Sequence, residues 1–384
     1  MRQLICVGLA SLITACATSR SSQAHGAGMG AEQGRAFSEA AVTVMQAYDL
    51  ESRFDDAVAL GQFAGERARL LKDAGGEAHI LAEQGRIMSR MLRHRPGMDT
   101  SQVLDVLRRA RRLADASGDA RARVAALNAE GIFHYSIVLL TGQGEWATVV
   151  ALLEQARDLA ASSGDTRGHL HALFYLGLTQ QFQGNAEAAK STYEQGLSVS
   201  RAANDVLMES YNLRHLASLA EDRGELDSAI TQYEHSLRLR EKVGFTTGQL
   251  FALTALSNVR SLKDPKDPQA LMLSEKALTL ARAVKDPAGE REAHTSLGRL
   301  HLRRGDVPAA LPHLEQALSN AESHEDWWSA VEALLELGRA HSLRGEKALV
   351  QERLRQARTV ASSRRLQEAL TLVEKVEREL SSAP

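Results

Sequence analysis

Apolar positions fall along this chain in two different ways. Near the start they form one unbroken run, "LICVGLASLITA" at residues 4–15, directly behind Arg2 and directly ahead of Cys16. The run is about half the length that spans a hydrocarbon core, so it predicts no anchor helix. Behind it "ATSRSSQAHGAGMGA" is small, polar and Gly-rich, the composition of a flexible tether over 16–31. From about Ala31 onward the chain is rich in Ala, Leu, Arg and Glu, poor in Pro and almost free of β-branched runs, which predicts helix throughout.

The helical part is punctuated. Gly144, Gly184, Gly224, Gly305 and Gly345 recur at 40 residues or its multiple with one extra, and Asp264 in "SLKDPKDPQAL" takes the missing position with the inserted residue. Each is followed by an Ala/Leu-rich segment closing on a second turn, as in "ARDLAASSGD", "GLSVSRAAND" and "ALTLARAVKD". Two helices per period are too small to bury a core alone, so they must stack on their neighbours.

In "ALFYLGLTQQFQGNAEAAKSTYEQGL", Leu176, Gly177, Gly184, Ala189 and Tyr193 stand at the spacings of the tetratricopeptide repeat, and the chain resembles that family. Leu216, Ala217, Gly224, Ala229 and Tyr233 repeat the pattern, as do Leu297, Gly298, Gly305, Ala310 and Ala317, then Leu337, Gly338, Gly345 and Ala357. The expected fold is all-α: a right-handed superhelical solenoid of about eight helical hairpins. Degenerate hairpins are expected over 32–125, a regular array over 126–363, and a capping helix with its tail over 364–384. Between Ala129 and Gly144 the small-residue position is held by Ile137, which predicts looser packing there.

The resemblance implies binding of a protein or peptide partner in a concave groove lined by the first helix of each hairpin. Carried over residue by residue, the groove positions are His171, Phe174, Gln181, Tyr211, Arg214, Asn258, Arg299 and Arg339. The arginine forks suit an acidic or backbone-rich ligand. The alternative is that Phe174 and Tyr211 pack between repeats and the polar members are merely solvated. The pattern is not the carboxylate clamp of chaperone-binding members, so no terminal-carboxylate ligand is implied.

At the N-terminus, Ile13, Thr14, Ala15 and Cys16 resemble a bacterial lipobox, with residues 1–15 as the lipoprotein signal peptide and Cys16 as the lipidated first residue. A lipobox cysteine carries several acyl chains, enough for stable attachment. Ala17, which is not Asp, implies the outer membrane, facing the periplasm. The competing reading is an A-x-A site that discards Cys16. The other cysteine, Cys6, lies in the removed segment, which leaves no disulfide or Cys-based zinc site.

Charge changes the picture little. The formal net charge is −2, so no bulk attraction to nucleic acid is expected. Locally, residues 86–123 hold ten arginines against four aspartates, around "LRRARRLA". This reads as a solvated face or, with Arg108 and Arg112, as a secondary interface for an anionic partner. In "HEDWWSAVEALLEL", Asp326 reads as an N-cap with Trp327 and Trp328 in the first turn, one packed and one lying on the adjacent hairpin or, in the alternative, a binding anchor in a secondary interface. There is no GxSxG, HExxH, phosphate loop or CxxC, and "HLH" at 169–171 lacks a third ligand, so no cofactor, metal or enzymatic activity is expected. A small-ligand sensor, or an enzyme whose site is assembled across repeats, is the alternative function.

Overall fold

The computed structural model describes residues 27–92, 95, 97–364 and 366–381, with side chains from residue 32 apart from Glu368. The described residues form seventeen helices and no strand. They pair as eight hairpins: α1 (Ala27–Leu50) with α2 (Phe54–Leu70), α3 (Ala74–Met91) with α4 (Thr100–Ser117), and α5 (Ala120–Thr141) with α6 (Trp146–Ser163). Then come α7 (Thr166–Phe182) with α8 (Ala186–Ala202), and α9 (Val206–Asp222) with α10 (Leu226–Lys242). The last three are α11 (Thr246–Lys263) with α12 (Pro268–Val284), α13 (Pro287–Arg303) with α14 (Val307–Ser323), and α15 (Trp327–Leu343) with α16 (Lys347–Ser363). A final unpaired α17 (Gln367–Ser381) packs on α15 and α16. The helical part therefore begins earlier than composition suggested, since residues 27–31 of the expected tether already belong to α1.

Aspartates set where the first helices start. Asp73, Asp119, Asp165, Asp205, Asp286 and Asp326 each precede a first helix and accept a hydrogen bond from a backbone N–H of its first turn. Such a cap typically contributes about 1 kcal/mol. The positions expose a change of period: 73, 119 and 165 are 46 residues apart, whereas later starts follow at 40 or 41. The early hairpins carry the extra length in the 92–99 connection and in α5, which has 22 residues against 17 in α7.

Small residues let the paired helices touch. A Cβ on Gly177 would stand 2.5 Å from the Tyr193 ring, and one on Gly298 would stand 2.4 Å from Leu314. In the longer hairpins the same role falls to Gly85 against Leu107 and Gly131 against Leu153. Ile137 thus does not loosen its hairpin, because the close approach has moved six residues back to Gly131. On the second helices, pairs one turn apart are fully buried: Ala110 and Ala114, Ala156 and Ala160, Ala277 and Ala281, Ala317 and Ala321, Ala357 and Ala361. The tight turns use left-handed backbone, as at Gly184 (φ 78°) and Gly224 (φ 74°), where any other L-residue is strained.

The chain divides into two compact units, residues up to Asn212 and residues from Leu213. The first has a large core around Met45, Ile80, Ile87, Leu107 and Phe133, with a smaller cluster around Leu153 and Leu176. The second is built around Tyr233, Leu253 and Leu256, then Leu314 and Leu337, then Leu334 and Leu354 with Val373 of α17. By length and composition α5 alone among the described helices could cross a membrane, but half of that stretch is buried and it packs on α3, α4, α6 and α7.

Candidate functional site

Within the first unit, the first helices α1, α3, α7 and α9 bring a charged and aromatic cluster together. On α3, Glu83, Arg86 and Arg90 lie at i, i+3 and i+7, hence on one face. Arg86 donates to both oxygens of Glu83, from Nε at 3.0 Å and Nη2 at 2.7 Å, and Nη2 also reaches Asp49 of α1 at 2.7 Å. Arg90 donates to the same Asp49 oxygen at 2.5 Å. Asp49, Glu83 and Arg86 are all buried. Although burial opposes its ionisation, the Arg86 charge and hydrogen bonds hold the Glu83 carboxyl down to about 2. Burial likewise works against the Arg86 guanidinium, and the Glu83 and Asp49 charges outweigh it, keeping Arg86 firmly protonated.

His171 and Arg167, one turn apart on α7, complete the charged part. Burial, then the positive charges of Arg167 and Arg86, push the His171 imidazole down to about 3, so it is neutral at physiological pH. Arg167 is exposed and has no hydrogen bond or ion pair with any described residue. It and His171 line a cavity of about 320 Å³ together with Thr166, Leu170, Ala203, Asp205, Leu207 and Met208.

Next to these charges stands an aromatic cluster. The Phe174 ring lies 5.3 Å from Tyr211, 5.5 Å from Tyr175 and 6.4 Å from Tyr193. Tyr135 continues the cluster to Tyr175, Trp146 and Phe182 at 5.6–6.0 Å. Seven of the seventeen aromatic residues in the chain meet here, and Phe174, Tyr175 and Tyr211 keep part of their surface in water. Tyr175 and Tyr211 lie within electrostatic reach of Arg90, so α3, α7 and α9 face one common space.

The first-helix face of the second unit is different. Asn258 donates to Glu221 at 2.7 Å and accepts from Arg303 at 2.8 Å, and Arg303 also donates to Ser261 at 2.6 Å. Tyr233 donates to the other Glu221 oxygen at 3.0 Å. Arg299 and Arg339 converge on one oxygen of buried Glu336, at 2.8 and 3.0 Å, and Arg339 reaches Glu379 of α17 at 3.0 Å. Burial opposes the charge on Arg299, and Glu336 and Glu332 outweigh it, so its pKa is raised. Arg214 donates to the ring of the adjacent His215 at 3.0 Å.

The eight groove positions therefore do lie on first helices, four in each unit, but their surroundings differ. His171, Phe174 and Tyr211 share the charged and aromatic cluster, and Gln181 accepts from the Tyr193 hydroxyl at 3.0 Å. Asn258, Arg299 and Arg339 are held by side chains of their own unit, so these polar groups are not simply solvated. The basic stretch does not form one surface: Arg86 and Arg90 turn inward on α3, whereas Arg108 and Arg112 are exposed on α4. Trp327 lies under the Arg364 guanidinium, 4.0 Å from its ring centre, while Trp328 is exposed. Asp326 caps α15 as read from sequence. Cys16 lies outside the described residues. Among the described residues no group of three or more His, Cys, Asp or Glu is placed to hold a metal ion.

Family models for the tetratricopeptide repeat match residues 170–202, over α7 and α8, and residues 266–323, over α12 to α14. This chain carries tetratricopeptide repeats. No curated protein matches it by sequence. Solved structures similar to it include aspartyl phosphate phosphatase F from Bacillus subtilis (TM-score 0.60, 9% identity, 83% of this chain and 92% of that one). A Rap protein complexed with competence and sporulation factor has TM-score 0.56 and 12% identity over 86% of this chain and 99% of that one. The Rap conjugation gene regulator of plasmid pLS20, in complex with the Phr* peptide, has TM-score 0.55 and 12% identity over 87% and 98%. At such identities the likeness is one of fold.

Proposed function

We propose that this chain is a scaffold that binds a protein or peptide partner on its first-helix face and is lipid-anchored at the bacterial cell envelope through Cys16. The observation that carries the binding half is the cluster in the first unit. Half-buried aromatic rings stand beside arginines whose side chains are already fixed by ion pairs, so little ordering remains to oppose binding. Rigid aromatic and Arg side chains are the groups that dominate peptide and protein interfaces. The complexes of the similar Rap proteins with a competence factor and a Phr* peptide support a peptide-sized occupant. Selection of displayed random peptides on the immobilised full chain tests this. Enriched sequences that bind saturably are expected, and a failure to enrich any sequence contradicts it.

The anchoring half rests on the lipobox-like "LITAC" and on the short apolar run before it. An outer-membrane position facing the periplasm follows from Ala17. Mass spectrometry of the native protein should find an acylated N-terminal Cys16, and a mature chain beginning at Thr18 without acyl mass contradicts it.

A further inference from the structure

The cavity at the start of α7 pairs a free cation with apolar walls. Leu170, Leu207, Met208 and Ala203 supply the walls, and Arg167 lines the same cavity with five donors and no partner among the described residues. The other charged lining residue is Asp205, whose carboxylate is engaged by the Met208 backbone N–H at 3.0 Å at the cap of α9. Behind Arg167, the two arginines and two carboxylates of Arg86, Arg90, Asp49 and Glu83 balance one another through their ion pairs. His171 adds no charge at neutral pH. Arg167 is thus the charged lining residue without a hydrogen-bond or ion-pair partner among the described residues, and a Glu or Asp side chain offers both parts of a match: methylene for the walls and a carboxylate for a bidentate contact.

We propose that this cavity holds an acidic side chain of the bound peptide, with Arg167 as the residue that selects it. The proposal rests on the peptide-binding reading above, and places the acidic residue beside the segment that lies on Phe174 and Tyr211. A charge-assisted bidentate contact contributes about 1.5–3 kcal/mol, which corresponds to a loss of roughly ten- to a hundredfold in affinity when it is removed.

The test uses displayed random peptides selected on the intact wild-type chain, on Arg167→Gln and on Arg69→Gln, an exposed substitution on the second helix α2. Wild type and Arg69→Gln should enrich peptides sharing a Glu or Asp, and Arg167→Gln should lose that preference while melting at the same temperature. A synthetic enriched peptide should bind Arg167→Gln at least tenfold more weakly, and amidating its C-terminus should change its affinity for wild type less than twofold. Enriched peptides without a shared acid, or with equal affinity for Arg167→Gln, overturn the proposal and leave the peptide-binding reading standing. Loss of binding on amidation overturns it too, because the carboxylate is then the terminus. If wild type enriches nothing, both fall.

Discussion

The first-helix faces of the two units share a scaffold and differ in how their charges are closed. In the second unit a polar ladder runs from helix to helix: Glu221 to Asn258, Asn258 to Arg303, Arg299 to Glu336, Arg339 to Glu379. Each rung joins one first helix to the next, and the last reaches the unpaired α17. In the first unit the charges are gathered between α1 and α3, Arg167 is left over, and the remaining face is aromatic. The same repeat geometry thus gives one face whose polar groups hold neighbouring repeats in register and another whose rings and free guanidinium are available to a partner.

Arg86→Met should cost the first unit the most. It leaves Asp49 with Arg90 and strips buried Glu83 of its ion-pair partner, and removal of one partner of a buried pair costs about 3–5 kcal/mol. The denaturant midpoint of the first unit should fall accordingly. Arg299→Met leaves Glu336 with Arg339, so the second unit should lose only about 1.5 kcal/mol.

Overpacking should affect the two units alike, since the hairpin contact is the same in both. Gly177→Val and Gly298→Val each force a side chain into Tyr193 or Leu314, at about 1–3 kcal/mol. A loss in one unit and none in the other, followed by urea unfolding, would show that the hairpins are not equivalent.

Acid should destabilise both units through His171 and His294. Burial first, then neighbouring positive charge, puts His171 at about 3; burial first, then His313 and Arg282, puts His294 in the second unit at about 4. Both folded-state values lie below the ordinary histidine value of 6.5. The unfolded chain therefore binds protons first, and stability falls as pH drops from about 6.5 toward those values. Glu83 acts lower: its depressed pKa contributes stability that is present above about 4.5 and is lost as pH falls toward 2. His171→Gln and His294→Gln should each flatten the melting-temperature profile between pH 6.5 and 4; a profile unchanged in both contradicts the assignment. The smallest effect is expected at Arg108→Ala with Arg112→Ala, which should leave peptide affinity within about twofold.

Much of the fold was legible in sequence because glycine turns and small residues mark the 40-residue period directly. The 46-residue steps were not, because Gly144 fits the 40-residue frame and hides the longer α5 behind it. The capping aspartates at 73, 119 and 165 carry that signal. Of the candidate site, positions on the first helices could be assigned from the repeat, but not their partners. Asp49 meets Arg86 and Arg90 across 37 and 41 residues, and the inward face of α3 was masked by the arginine-rich stretch that follows it. The spacing of Glu83, Arg86 and Arg90 on one helical face was the available clue. Nothing local marks Glu336 as the shared partner of Arg299 and Arg339, because that depends on how successive repeats stack.

A partner seated on the first unit's face should depend on the rings of Phe174 and Tyr211. Fluorescence polarisation of one enriched, labelled peptide tests it against the full chain carrying Phe174→Ala with Tyr211→Ala, or Asn258→Ala with Arg339→Ala. The first pair should weaken binding by about 2 kcal/mol or more while circular dichroism stays helical, and the second should leave affinity nearly unchanged. Loss of binding in the second pair with the first pair unaffected would contradict the account and move the site to the ion-paired face.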